Sequence, residues 1–159
     1  MITALVVMYN AEKILDDHFQ SLWFCDEIIA IDIGSSDGSV DVAKRHNCKV
    51  VYHPWVPMGE LAWSKYVANT SNDWIIISDP DEVVSSNLAN EIIDAITTQN
   101  VGVISIPYRH FFKKNKINAS LWRQVWHIDK VFNKERVNIL CEVHRPFSIK
   151  PGYEYSGIS

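Results

Sequence analysis

Apolar residues occur along the chain in short continuous runs that alternate with segments typical of helices. The continuous runs predict strands buried on both faces, at residues 2–8, 28–33, 49–52, 74–78 and 101–107. The intervening segments predict helices, at residues 11–24, 39–45, 60–69 and 87–98. This alternation favours a mostly parallel, doubly wound α/β sheet with helices on both faces.

The pattern changes after Pro107. Residues 108–159 contain more aromatic and charged residues and fewer helical signals. They predict mixed strands and loops laid against the sheet edge. No repeat, linker or low-complexity segment interrupts the chain. We therefore expect a single domain, with residues 1–107 as a β/α core that ends in the fifth strand and residues 108–159 as a further segment of the same domain.

Composition excludes several classes of protein. The formal net charge of −4 argues against sequence-independent binding of DNA or RNA, which needs a basic surface. No apolar run is long enough to cross a bilayer. The three cysteines are far apart, odd in number and without zinc-ligand spacing, so they suit a reducing compartment and predict a cytoplasmic protein.

Carboxylates follow directly after one of the predicted buried strands. Asp79 and Asp81 flank Pro80 at the end of the run WIIIS. Ligands of an open α/β sheet bind beyond the carboxyl ends of its strands. Mn²⁺ and Mg²⁺ prefer such oxygen ligands and complete their coordination with substrate phosphates and water. The alternative is that both side chains only cap the following helix, since Asp-Pro-Asp is common in turns.

Two further carboxylates lie at the end of the second strand. Asp32 interrupts an apolar run and either binds a ribose hydroxyl or base N–H, or accepts hydrogen bonds from the turn at residues 34–38. Asp37 has the same two interpretations. The first strand is followed by Tyr9-Asn10 and not by a Gly-x-Gly-x-x-Gly loop, and the chain contains no Gly-Lys-Ser/Thr motif. The absence of these motifs argues against dinucleotide-binding and P-loop chemistry.

The ordered motifs resemble those of the family 2 glycosyltransferases, most closely the bacterial lipopolysaccharide-core branch. The segments that carry this resemblance are the first strand with residues 9–12 (YNAE), then residues 26–44 (DEIIAIDIGSSDGSVDVAK), 50–55 (VVYHPW), 73–84 (DWIIISDPDEVV), 130–139 (KVFNKERVNI) and 141–144 (CEVH). The resemblance implies a GT-A fold, a nucleoside-diphosphate sugar donor such as a UDP-sugar, and a divalent metal, Mn²⁺ or Mg²⁺. It also implies inverting transfer to a glycan or glycolipid acceptor, with residues 108–159 on the acceptor side.

The resemblance also assigns residues of the donor site. Tyr9 and Asn10 would lie along the nucleotide, and Asp32 would bind the base or ribose. Asp79 would contact the ribose or the metal, and Asp81 would be the principal metal ligand. A metal held there would act as a Lewis acid on the leaving diphosphate.

Inverting transfer needs a general base for the acceptor hydroxyl. The candidates are Glu142, which lies near the matching Val-His motif, and Asp129. His144 is a third candidate, or instead completes the metal or phosphate site. Lys65 is a candidate phosphate contact, since Trp63 and Ser64 stand where the branch usually carries a basic residue and Asn.

Alternatives of other classes are a sugar-phosphate nucleotidyltransferase and a non-catalytic nucleotide-sugar-binding domain. The chain is shorter than a typical core of this fold, so we expect either a domain cut from a longer protein or a minimal version that borrows its acceptor site from a partner. The sequence leaves open whether the protein forms a homo-oligomer. The basic and aromatic residues 108–116 suit either a solvated loop or peripheral contact with a membrane surface.

Overall fold

The computed structural model describes residues 1–98, 102–107, 111–112, 115–116 and 127–134. The strands are β1 (Ile2–Met8), β2 (Glu27–Asp32), β3 (Lys49–Tyr52), β4 (Trp74–Ile77), β5 (Val103–Pro107), β6 (Phe111–Phe112), β7 (Asn115–Lys116) and β8 (His127–Asn133). The helices are α1 (Glu12–Ser21), α2 (Ser39–Arg45), α3 (Glu60–Trp63) and α4 (Ser86–Thr98), with a 3-10 helix at Val67–Asn69. The bounds predicted for α2 and β3 are confirmed, whereas the helix predicted over residues 60–69 is broken in two.

In the described part of the chain, six strands form the main sheet, in the order β3-β2-β1-β4-β8-β5. The pairs β1–β2, β2–β3 and β1–β4 are parallel, and β8 is antiparallel to both β4 and β5. The predicted mostly parallel α/β sheet is therefore confirmed. Strands β6 and β7 pair separately as a short antiparallel ribbon.

Strand β8 corrects one expectation about the segment after residue 107. It lies between β4 and β5 and not against the sheet edge. Val131 is fully buried in the apolar cluster on one face of the sheet, and Phe132 is buried in the cluster on the other. A strand with apolar side chains on both faces is stabilised most in the interior of a sheet, which is the physical reason for this position.

Apolar side chains cover both faces of the sheet. On one face the buried helical residues come from α1, α2 and α4: Leu15, Phe19, Val42, Ala43, Ala89 and Ile92. On the other face Ala62 and Trp63 of α3 pack against Leu5, Ile29, Ile31, Ile75 and Ile77. Each fully buried aliphatic side chain contributes about 1.5–3 kcal/mol to folding. Among the residues that the structure describes, no helix is both long and apolar enough to span a lipid bilayer.

A hydrogen-bonded carboxylate fastens the amino edge of the sheet. Glu27 accepts hydrogen bonds from the Thr3 hydroxyl at 2.8 Å and from the Ser71 backbone N–H at 2.9 Å. Burial alone would raise the pKa of Glu27, but these bonds and that from the Ser71 hydroxyl outweigh it and lower the pKa below its ordinary value of 4.5. The ionised Glu27 therefore joins β2 to β1 and to the loop before β4.

Candidate active site at the carboxyl edge of the sheet

The order of the strands produces a crevice between β1 and β4. The chain runs outward from β1 to β2 and β3 and then returns to place β4 on the other side of β1. Ligands of doubly wound sheets bind at such a reversal, outside the carboxyl ends of the strands. Tyr9 and Asn10 follow β1 at this edge, and Asp79 and Asp81 follow β4. The structure thus brings together the predicted nucleotide and metal residues of these two loops.

Asn10 holds the loop after β1 against the loop after β2. Its backbone has a φ of +49°, in the left-handed region that Asn tolerates better than most residues. Its N–H donates to Ser35 Oγ at 3.0 Å, and its Oδ1 accepts the Ser36 N–H at 2.7 Å. Tyr9 beside it is 50% exposed. Asn10 therefore shapes this edge while Tyr9 presents an aromatic surface to solvent.

Asp32 is buried at the end of β2, with 3% of its surface exposed. Its carboxylate accepts the Ser35 N–H at 3.1 Å and the Gly34 N–H at 3.3 Å. Gly34 has a φ of +105°, a conformation that side chains rarely allow. The turn contacts named as one interpretation of Asp32 are thus present, and its contact with the base or ribose stays a prediction.

Asp37 and Glu12 each accept a backbone N–H at the start of a helix. Asp37 accepts the Glu12 N–H at 3.1 Å at the start of α1, and Glu12 accepts the Gly38 N–H at 3.0 Å at the start of α2. The Ser39 hydroxyl also donates to Asp37. That bond, with the backbone N–H donors, lowers the pKa of Asp37. Each carboxylate lies near the positive N-terminal end of a helix dipole, which is a favourable position for a negative charge. A nucleotide contact by Asp37 stays a prediction.

The loop after β4 presents two exposed carboxylates on a closed turn. Asp79 and Asp81 are both exposed. The Glu82 N–H donates to the Asp79 carbonyl at 2.9 Å, and the Glu82 carboxylate accepts the Asp79 N–H at 2.9 Å. Glu82 therefore braces the turn from inside. The carboxylate of Asp81 makes no hydrogen bond or ion pair with any other described residue.

Helix α1 contributes two side chains that the sequence analysis missed. His18 Nδ1 donates to the Glu82 carbonyl at 2.7 Å, and Ser21 Oγ accepts the Val84 N–H at 3.1 Å. The signal for His18 was present, since it lies in the apolar stripe of α1 between Leu15 and Leu22. A histidine at such a position needs a buried partner, and here that partner is the backbone of the loop after β4.

The remaining candidates divide between described and undescribed residues. Asp129 lies in β8, two residues before Val131, whose pairing with Ile76 puts the backbone of Asp129 at the carboxyl edge beside the loop after β4. Lys65 is exposed just after α3. Glu142 and His144 lie outside the described residues. The described part of the chain contains no group of three or more His, Cys, Asp or Glu side chains able to hold a metal.

Trp63 is buried in the core, with 3% of its surface exposed. Its ring centroid lies 6.5 Å from that of Phe132. A residue in this position stabilises the packing of α3 on the sheet.

Comparisons with known proteins agree with this geometry. A family model described as "Glycosyl transferase family 2" matches residues 3–149. An "uncharacterized glycosyltransferase" of Rickettsia bellii is 31% identical over 101 residues, which are 62% of this chain and 34% of that protein. The matched stretch thus spans about a third of the length of this curated relative.

Solved structures share the fold. Glucosyl-3-phosphoglycerate synthase from Mycobacterium tuberculosis, in complex with Mn²⁺, UDP and glucosyl-3-phosphoglycerate, has a TM-score of 0.55 at 22% identity, covering 65% of this chain and 42% of that chain. S. aureus TarS 1–349 in complex with UDP has a TM-score of 0.62 at 12% identity, covering 84% of this chain and 46% of that chain. These similarities show the GT-A fold.

Proposed function

Because the chain belongs to glycosyl transferase family 2, we propose that it transfers a sugar from a nucleoside-diphosphate sugar to a hydroxyl of a glycan or glycolipid acceptor. A UDP-sugar is the proposed donor, supported by the UDP bound in two solved structures of the same fold. Transfer with inversion and membership of the lipopolysaccharide-core branch are part of this proposal. They are supported by the resemblance of the motifs at residues 73–84, 130–139 and 141–144.

One observation carries the proposal: two exposed carboxylates stand on a braced turn at the crevice where the strand order reverses. Without a cation, the charges of Asp79 and Asp81 would repel a diphosphate that approached the same edge. A divalent metal held by these carboxylates would remove that repulsion. The hydrogen bonds of the turn would help to keep its oxygen ligands in place.

The donor set fits Mn²⁺ or Mg²⁺. Both cations prefer carboxylate oxygens and leave coordination positions for phosphates and water. We propose Asp81 as the principal ligand and Asp79 as a ligand or ribose contact, with His144 as a further ligand. A metal held there would supply Lewis-acid stabilisation of the charge that develops on the leaving diphosphate.

The other roles are proposed from the motifs of the sequence. Tyr9, Asn10 and Asp32 are proposed to contact the nucleotide, with Asp37 and Lys65 as further contacts. The general base is proposed to be Glu142, with Asp129 as the alternative. The backbone of Asp129 at the carboxyl edge supports its candidacy. A cytoplasmic location, with peripheral membrane contact through residues 108–116, stays a prediction.

Asp81→Asn tests the proposed metal role against a matched control. Asp73→Asn makes the same change at another exposed carboxylate, at the opposite end of β4. We expect Asp81→Asn to slow release of nucleoside diphosphate from UDP-sugars with Mn²⁺ by at least about 100-fold. Asp73→Asn should leave it unchanged.

The assay uses a panel of UDP- and GDP-sugars, with circular dichroism to confirm folding. Equal rates for Asp81→Asn and wild type would remove Asp81 from the metal role. Pyrophosphate release from a nucleoside triphosphate and a sugar phosphate would instead indicate a nucleotidyltransferase. Donor binding without turnover on any acceptor would indicate a non-catalytic binding domain.

A further inference from the structure

Helix α1 holds the backbone of the loop after β4 at two points. His18 Nδ1 contacts the Glu82 carbonyl at 2.7 Å, and Ser21 Oγ contacts the Val84 N–H at 3.1 Å. Ser21 Oγ also donates to the His18 carbonyl at 2.7 Å, so the two contacts form one connected network. Both link residues more than 60 positions apart along the chain.

The ring of His18 is fixed in its tautomer by this contact. A carbonyl oxygen only accepts hydrogen bonds, so Nδ1 carries the proton that it donates. His18 is fully buried, and burial lowers its pKa against the opposing effect of the Glu82 carbonyl and the nearby carboxylates. The ring is therefore neutral at physiological pH. Its Nε2 has no hydrogen-bond partner within the described part of the chain.

Glu82 links the His18 hydrogen bond to the turn that carries Asp79 and Asp81. The same residue that accepts from His18 closes the turn, with its N–H on the Asp79 carbonyl and its carboxylate on the Asp79 N–H, both at 2.9 Å. Asp81 lies between these two fixed residues. A ring that holds the Glu82 carbonyl therefore restricts the directions in which Asp79 and Asp81 can present their oxygens.

We propose that His18 is a positioning residue that orients the Asp79–Glu82 turn for binding of a divalent cation with a nucleoside diphosphate. This inference rests on the proposed function, because it assumes that the turn binds the metal. Residues that orient metal ligands from behind affect metal affinity by about 10–100-fold when they are removed. His18 acts through the backbone of Glu82 and touches neither the substrate nor the metal.

Two substitutions of His18 separate the effect of its hydrogen bond from the effect of its packing in the core. His18→Leu keeps an apolar side chain in the core and removes the donor. His18→Asn retains a side-chain N–H close to the position of Nδ1. His46→Leu is the control. The rings of His18 and His46 both contact Phe19, with centroids 5.4 and 5.6 Å apart, but His46 makes its hydrogen bond to Asp16.

The first measurement is the affinity for Mn²⁺ in the presence of UDP. Free Mn²⁺ is quantified by its electron paramagnetic resonance signal. We expect His18→Leu to weaken Mn²⁺ binding about tenfold, and His18→Asn to regain most of the loss. His46→Leu should match wild type. Wild-type affinity in a folded His18→Leu protein would overturn the proposal, as would equal losses in the leucine and asparagine variants.

The second measurement is amide hydrogen exchange of residues 79–84 without metal. Faster exchange at Asp79 and Val84 in His18→Leu than in His18→Asn supports the positioning role, and equal exchange contradicts it. Together the two measurements distinguish the positioning role of His18 from the proposed transferase function. If wild-type protein fails to bind Mn²⁺ with UDP, the proposed function is wrong, whereas unchanged exchange in His18→Leu refutes the role of His18 in fixing the turn.

Discussion

Ser39 joins the two helices that begin at the edge of the crevice, and its removal gives a quantitative prediction. Its side chain is fully buried. Its hydroxyl accepts the Ala11 N–H at 2.8 Å, at the start of α1. It also donates to Asp37, which accepts the Ser39 N–H at 3.0 Å at the start of α2. Ser39→Ala leaves the Ala11 N–H, which is partly shielded from water, without its acceptor.

The expected loss follows from that single donor. An unsatisfied buried donor costs about 1–3 kcal/mol. We therefore expect Ser39→Ala to lower the free energy of unfolding by this amount. In a domain of this size each kcal/mol lowers Tm by about 2–4 °C. The assay is urea-induced unfolding followed by circular dichroism, with an unchanged m value as evidence that both proteins unfold in the same way.

Ser36→Ala is the matched control in the same loop. Ser36 is exposed, and its hydroxyl lies 3.3 Å from Asn10 Oδ1, while its backbone N–H makes the shorter bond of 2.7 Å that the substitution retains. We expect a change within about 0.5 kcal/mol. Equal stability of Ser39→Ala and Ser36→Ala would show that the Ser39 hydroxyl does not satisfy the Ala11 N–H as described.

Three further predictions concern the core and its ionisable groups. Leu15→Ala, at a fully buried position, should cost about 2–5 kcal/mol in urea unfolding. Glu27 has a folded-state pKa below 4.5. The stability that its ionised form confers should therefore be complete above pH 4.5 and decline as the pH falls through that lower pKa. Over that range, the difference in unfolding free energy between wild type and Glu27→Gln should shrink. Burial raises the pKa of Cys25 and Cys48 to about 12, so in a Cys141→Ser background both thiols should react with iodoacetamide only as the protein unfolds, and rapid native labelling would contradict this.

Local sequence patterns predicted the bounds of elements that depend mainly on neighbouring residues. The bounds of α2 and β3 agree with the structure, because a turn-rich segment precedes one and a short β-branched run forms the other. The helix predicted at residues 60–69 breaks after Trp63. The break falls at residues 64–66, between α3 and the 3-10 helix. These residues include neither glycine nor proline, the two strongest helix breakers, so the local pattern does not reveal it.

Contacts between distant segments could not be predicted from one sequence. The position of β8 between β4 and β5 depends on which strands its two apolar faces meet, and spacing along the chain carries no such information. The contact between His18 and Glu82 spans 64 residues. The strand-end positions of Asp79 and Asp81 were predictable because a strand's end is a local feature.

The central claim is that the carboxylates after β4 bind a nucleoside diphosphate through a divalent cation. Isothermal titration calorimetry of UDP into the wild-type protein, with Mn²⁺ and again with EDTA, tests it most directly. We predict saturable binding with Mn²⁺ and a loss of affinity in EDTA. Absence of binding under both conditions, or equal affinity in the two, would contradict the account.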